Sequence, residues 1–422
     1  MLDVLDGFSN ILKTLNPSKV YSKKPPHGPP DEYPVLGDSE LKKLQESMTG
    51  ISLGNHSAYT YMKMVDKDLS PKTVRLPSPH HLFGKSIWSI DGSSKTLDYT
   101  AFHLMLARSA LVEYQYTSDP QPLQHKISMY DCGAVCVVDG NVFSDKLHLF
   151  STSTKGKKDR QDFSWIPILN KSTEPIIVSY NSNALDKKPS MHAMGWCNKF
   201  MQTLELLAHY KIPKDREGVV IRDGPIFPIY ASNVDIEKSL LFSLKWKNKL
   251  LICSSKRISE STLFLEYLLH PNSEKALDFY FKNQGVTKSV LNKLPADYLL
   301  LQKILKPGQR TPFLEVFPHN QKSILKTNPE LIPISTYYMR RRSPHTIIRL
   351  EFPKKYLSNE LKSELDFAIS CVAWQHELGT KVPHVQEFAD RQCQLKPEAA
   401  ILRKVTASRL AQEGLETLEV YE

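Results

Sequence analysis

Gly218-Val-Val-Ile-Arg-Asp-Gly-Pro-Ile-Phe227 is a short apolar run that delivers an acidic residue, Asp223, to its end and is broken at once by Gly224-Pro225. Its length and β-branched content read as a buried strand. Pro225 lacks the backbone N–H that a returning hairpin strand needs, so the Asp-Gly pair makes a poor hairpin here. An upstream stretch repeats the pattern, because Ser86-Ile-Trp-Ser-Ile-Asp-Gly-Ser-Ser94 brings Asp91 to a glycine. Asp-Gly is also the commonest hairpin turn. Asp139, in Val135-Cys-Val-Val-Asp-Gly-Asn141, reads as such a turn. For Asp91 the residues leave turn and function even; for Asp223 function stands above turn.

Working outward, Gly195 to Tyr210 reads as an amphipathic helix with Cys197, Met201, Leu204 and Ala208 at helical spacing. Glu205 follows Met201 by four residues and precedes Ala208 by three, so its carboxylate lies on or beside the buried stripe. Such a Glu costs stability unless paired or bound to metal. The bland alternative, favoured for this residue taken alone, is an edge Glu reaching solvent near His209 or Lys199. Together the three acids make a candidate site. Hard divalent cations take rigid carboxylate oxygens, and such ions activate water and stabilise the leaving oxygen in phosphodiester cleavage.

The surrounding chain predicts a mixed sheet. Ser86–Ile90, Phe102–Tyr116 and Ile127–Val138 are strand-like and suit an antiparallel meander, although 101–112 is also compatible with a helix by propensity. Lys249–Arg257, Pro312–Phe317, Ser335–Arg340 and Thr346–Phe352 add strands, and Ser261–His270 a helix. Asn359–Leu378 is a helix stopped by Gly379, with a further helical region from Val385 onward. Strands first, then strands alternating with helices, predict α/β architecture, a sheet flanked by helices. Residues 1–84 carry a Pro-rich connector at Lys23–Asp31 and a short helix at Glu40–Met48, and read as a helical N-terminal arm.

The 422 residues suffice for one large domain or two ordinary ones, and 41% apolar with 24% charged content is that of a globular protein. Neither a secretion signal nor a membrane span is recognisable, so the expectation is a cytoplasmic protein. Six scattered cysteines, Cys132, Cys136, Cys197, Cys253, Cys371 and Cys393, form no C-x-x-C pair and read as core thiols of a reduced compartment. No P-loop, Rossmann fingerprint, H-E-x-x-H motif or solenoid repeat is present. A net charge of +10 favours an anionic partner. Lys256 ends an apolar strand, where it can contact a scissile phosphate, and Tyr337-Tyr-Met-Arg-Arg-Arg-Ser-Pro-His345 mixes aromatics with Arg340, Arg341 and Arg342, a composition for phosphate contact and base stacking. Solvated lysine and charged surface edge are the competing readings.

The ordered set Ile90-Asp-Gly-Ser93, Met201–Leu207 with Glu205, Arg222-Asp-Gly-Pro-Ile226, Cys253-Ser-Ser-Lys-Arg257 and Ile348-Arg-Leu-Glu-Phe-Pro353 resembles the NurA family of DNA-end nucleases over about 85–395. The resemblance implies an RNase H-like core at 85–395 between the N-terminal arm and a helical tail at 396–422. It also implies Mn²⁺ (or Mg²⁺) held by Asp91, Glu205 and Asp223, a homodimer, and a HerA-type hexameric ATPase as partner; Lys256 and Arg257 with the Arg340–Arg342 cluster are the candidate DNA contacts. Family members close with a Tyr-Pro turn and a helix bearing Ala-His. Here Lys381-Val-Pro-His-Val-Gln-Glu-Phe-Ala-Asp390 has Val382 for the Tyr and Asp390 for the His, with His384 beside the turn, so Asp390 or His384 is the candidate fourth ligand. Two rivals remain: an inactive nuclease-like adaptor, favoured by that altered motif, and a restriction-enzyme fold, disfavoured because no Glu-x-Lys follows either Asp-Gly.

Overall fold

The computed structural model describes residues 59–98, 102–116, 124–139, 142–151, 176–179, 189–231, 233–255, 261–270, 273–281, 287–292, 294, 296–343 and 346–412. One sheet of 13 strands organises them. Along its main path the order is β1 (Tyr59–Met64), β11 (Leu314–Pro318), β12 (Pro333–Met339), β13 (Ile347–Pro353), β9 (Lys249–Ser255), β8 (Gly218–Asp223), β3 (Ser86–Asp98), β4 (Phe102–Gln115), β5 (Gln124–Asp139), β6 (Val142–Ser151) and β7 (Ile176–Ser179). The short β2 (Lys72–Thr73) and β10 (Gln309–Arg310) join at the side, β10 on β12. The sheet is mixed: β3, β8 and β9 are parallel neighbours, and the other pairings are antiparallel. The expected antiparallel meander is β3 to β6, and the stretch 101–112 with its helical alternative is strand β4. Pairing along both edges overrides helical propensity there.

Two apolar layers cover the central strands. Val219 and Ile221 of β8 face one layer with Ile87, Leu250, Leu365, Val372, Val385 and Ala389; Val220 faces the other with Trp88, Ile90, Leu206, Ile236 and Leu251. The second layer is closed by α1 (Pro189–Ala208) and α2 (Asn233–Ser243), the first by α6 (Lys362–Leu378) and α7 (His384–Cys393). A third cluster packs α3 (Leu263–Leu269), α4 (Glu274–Phe281) and α5 (Asp297–Ile304) against β11 and β12. The chain's α8 spans Lys396–Gln412.

Two expectations change. Asp91 does not close a strand at a glycine turn: β3 continues through Asp98, paired with β4 from Ser86↔Gln115 to Asp98↔His103, so a long antiparallel partner carries it past Gly92. Residues 59–84, expected in a helical arm, instead supply β1 and β2 to the sheet, because β11 and β10 offer them open edges; residues 1–58 lie outside those described. The reading of Asp139 as a turn fits, since β5 ends there, paired with Val142.

Candidate active site

Parallel pairing of β3 with β8 runs from Ser86↔Gly218 to Ile90↔Arg222 and stops. Asp91 and Asp223 are each the next residue, so they stand at one level on adjoining strands, about 4.8 Å apart across the ladder. Asp223 pairs onward with Ser254 of β9. Side chains alternate along a strand, so Asp91 follows Ile87 and Asp223 follows Val219 and Ile221 onto the face covered by α6 and α7. Glu205 approaches from α1 on the opposite face. It rests where the side chain of residue 92 would stand, since a Cβ built on Gly92 lies 2.5 Å from Glu205 Oε1 and 2.6 Å from Met201 Cγ. The glycine after Asp91 thus leaves room for the Glu205 carboxylate against the face of β3 that α1 covers.

Two of the three acids are shielded from solvent, and Asp223 is half-buried. Asp91 is 2% and Glu205 6% exposed, which overturns the bland solvent-edge reading of Glu205. Gly92 N–H donates to Asp91 Oδ1 at 2.8 Å. The thiol of Cys253, on β9, is pushed up to about 11, first by burial and then by the negative charge of Glu351, Glu205 and Asp223 against the lowering effect of Arg222. Two acids from different layers therefore act on one buried thiol.

The turn after Asp223 is held from several sides. Gly224 takes φ 83°, a left-handed conformation that suits glycine. Arg222, fully buried, donates from Nη2 to the carbonyls of Pro225 at 2.5 Å and Ile226 at 2.8 Å. Ile226 N–H donates to Glu351 Oε2 at 2.8 Å, and Glu351 is paired with Arg349 at 3.0 Å. Gln202 Oε1, on α1, accepts from the N–H groups of Tyr230 and Ala231. In the sequence Glu351 and Gln386 stand only within the motifs Ile348–Pro353 and Lys381–Asp390, with no role attached to either. The latter, buried on α7, donates from Nε2 to Asp223 Oδ1. No spacing rule links residues 163 positions apart, so no local signal pointed to it.

The remaining candidates divide. Asp390 is one helical turn beyond Gln386, on the same face of α7, and half-buried. His384 instead packs its ring against Tyr114, 5.7 Å between centroids. Tyr114 lies four residues along β4 from Ala110, the partner of Asp91, or ~13 Å. Lys256 and Arg257 lie outside the described residues, directly after β9 ends at Ser255. Arg340 donates to the Thr380 and Glu377 carbonyls, and Arg341 to the Val74 carbonyl, so these two guanidiniums hold the protein's own chain; Arg342 is exposed. Their turn joins β12 to β13 at the sheet end toward which β9 runs, as Arg349↔Ser255 and Met339↔Ile347 show.

Among the described residues no three His, Cys, Asp or Glu side chains already form a metal cage. Mg²⁺-like ions, however, keep several waters and take one or two carboxylates. Asp91 and Asp223, at one level on adjoining strands, are hard oxygen donors of the kind such an ion takes, and Glu205 lies beside Gly92 on the opposite face.

The family model of the NurA domain matches residues 134–379. The chain belongs to the NurA family. The matched span contains Glu205, Asp223 and Glu351, whereas Asp91, Gln386 and Asp390 lie outside it. Among solved NurA structures, the NurA nuclease from Sulfolobus solfataricus is similar at 9% identity, covering 91% of this chain and 98% of that one, with a TM-score of 0.40. A NurA bound to dAMP and manganese is similar at 10% identity, covering 85% and 91%, with a TM-score of 0.27. No curated protein matches the chain.

Proposed function

We propose that this NurA-family chain is a divalent-metal-dependent deoxyribonuclease acting at DNA ends. The observation that carries the reading is the parallel register that sets Asp91 and Asp223 side by side where the β3–β8 ladder ends. Mn²⁺ (or Mg²⁺), when bound, would supply Lewis acidity for activating water and stabilising the leaving oxygen. Asp91, Asp223 and Glu205 would hold it, with Asp390 completing the shell, and the covering helices would keep bulk water from the carboxylates. Lys256 is assigned to the scissile phosphate, and Arg257 with the exposed Arg342 to the DNA strand, while Arg340 and Arg341 anchor the turn that carries Arg342. The +10 net charge suits that polyanion, and the basic turn leaves the same end of the sheet as the acids.

The order β5-β4-β3-β8-β9, with β4 antiparallel to its neighbours and β8 and β9 parallel to β3, supports an RNase H-like core. A homodimer working with a HerA-type hexameric ATPase follows from the family resemblance. No helix among the described residues is long and apolar enough to cross a membrane.

The test is degradation of linear DNA with Mn²⁺. Asp223→Asn should lose about 10²- to 10³-fold in rate with unchanged melting, the scale set by losing a charge-stabilising group; full activity in that variant would sink the proposal. The adaptor reading keeps one point in its favour, Asp390 in place of a His. Mn²⁺ calorimetry separates the two, since an adaptor shows no uptake that depends on Asp91 and Asp223.

A further inference from the structure

The side chain of Gln386 is an expensive choice for its position. It is fully buried, on the face of α7 that packs among Val385, Ala389 and the apolar layer beneath the sheet. Its Nε2 donates to Asp223 Oδ1 at 2.5 Å and to the Ser254 carbonyl at 3.3 Å. Both partners are acceptors, so the amide has one admissible orientation, since the flipped form would set Oε1 against a carboxylate and a carbonyl. In that orientation Oε1 is buried with no hydrogen-bond partner among the described residues. An unsatisfied buried acceptor is destabilising, and an apolar residue of equal length would avoid it. Packing alone therefore does not account for the amide; its bond to Asp223 does.

The geometry of that bond has a direct consequence. A strand-end carboxylate on a single-bonded stem can rotate about χ1 and χ2, and a donor on one oxygen removes that freedom. Because the same nitrogen also holds Ser254, the residue paired with Asp223, the amide locks the carboxylate relative to the backbone of β9 as well. Helix α7 also packs on β3, so one rigid element spans both aspartate-bearing strands.

We propose that Gln386 is a positioning residue of the metal site, holding the Asp223 carboxylate in the orientation in which it receives the cation. The inference rests on the reading of Asp223 as a metal ligand. Outer ligands of this kind change metal affinity 10- to 100-fold when removed.

Gln386→Met keeps the side-chain length and removes the donor. Calorimetry should show Mn²⁺ binding about 10- to 100-fold weaker than wild type, with melting within a few degrees. DNA cleavage should return toward the wild-type rate as Mn²⁺ is raised, with KM for DNA unchanged. A role confined to stability would move the melting point and leave Mn²⁺ affinity alone. Affinity within about threefold of wild type overturns the inference while leaving the metal site standing. Wild-type protein that takes up no Mn²⁺ overturns the metal reading and this inference with it. Should Gln386→Met fail to fold, a crystal structure of the wild-type chain with Mn²⁺ decides: an amide within hydrogen-bond reach of a metal-bound Asp223 supports the role, and an amide withdrawn from it refutes the role.

Discussion

Adding one methyl group at Gly92 should disable the site with little damage to the fold. A Cβ there would stand 2.5 Å from Glu205 Oε1, 2.6 Å from Met201 Cγ and 3.2 Å from Glu205 Cδ. Ordinary contact of carbon with these atoms begins near 3.4 Å, so the Glu205 carboxylate must retreat by about 1 Å, and Met201 by a similar amount. Both are flexible side chains one turn apart on α1, so the helix itself can stay while they rotate. Overpacking of this size costs about 1–3 kcal/mol. Replacing a strand glycine with alanine recovers part of that through the unfolded chain's lost freedom. Catalysis is far less tolerant, since a misplacement of about 1 Å is worth roughly 10²-fold. Gly92→Ala should therefore melt within several degrees of wild type and cleave linear DNA about 100-fold more slowly at saturating Mn²⁺. A folded Gly92→Ala protein with wild-type activity would show that Glu205 plays no part in the chemistry.

Three further outcomes follow from individual groups. His376 is buried against Tyr338 and its pKa is lowered to about 4, first by burial and then by Arg340, while the unfolded value is near 6.5. The folded state thus refuses a proton that the unfolded chain takes: the stability is present above pH 6.5 and is lost as pH falls toward 4, by about 2–3 kcal/mol. Urea midpoints at pH 7 and 4.5 should differ less in His376→Gln than in wild type, and an equal difference counts against the assignment. At Gly218, φ is 151° and a Cβ would lie 1.7 Å from the Ser86 carbonyl oxygen, so Gly218→Ala should cost more than about 4 kcal/mol and yield little folded protein; a normal melting curve contradicts this packing. Glu351→Gln keeps an acceptor for the Ile226 N–H but strands the buried Arg349 charge, and should cost about 3–5 kcal/mol in a urea titration, a loss under 1 kcal/mol refuting the pair's burial.

Much of the local structure was legible in the residues because its causes are local. The apolar run at 218–223 cut off by Gly224-Pro225, the stripe of Cys197, Met201, Leu204 and Ala208, and the stop at Gly379 each state their element in a few positions, and the structure returns β8, α1 and the end of α6. Asp91 shows the limit of such reading. Its Asp-Gly looks like Asp139-Gly140, yet one pair lies within a strand and the other ends one. What separates them is the partner: β4 pairs alongside Gly92, whereas β5 meets β6 at Asp139. The arginine cluster shows it again, since composition marks Arg340–Arg342 as phosphate-seeking and only packing reveals that Arg340 and Arg341 hold carbonyls of their own chain.

The sequence by itself therefore determined the acids, the strand and helix that carry Asp223 and Glu205, and the family resemblance, since these rest on residue type and short-range period. Tertiary structure alone decided that Asp91 and Asp223 stand at one level on adjoining strands, that Glu205 is seated over Gly92, and that Gln386 grips Asp223. Parallel register is the reason: it joins strands more than a hundred residues apart, and is chosen by how the helices of both layers pack rather than by any motif in either strand.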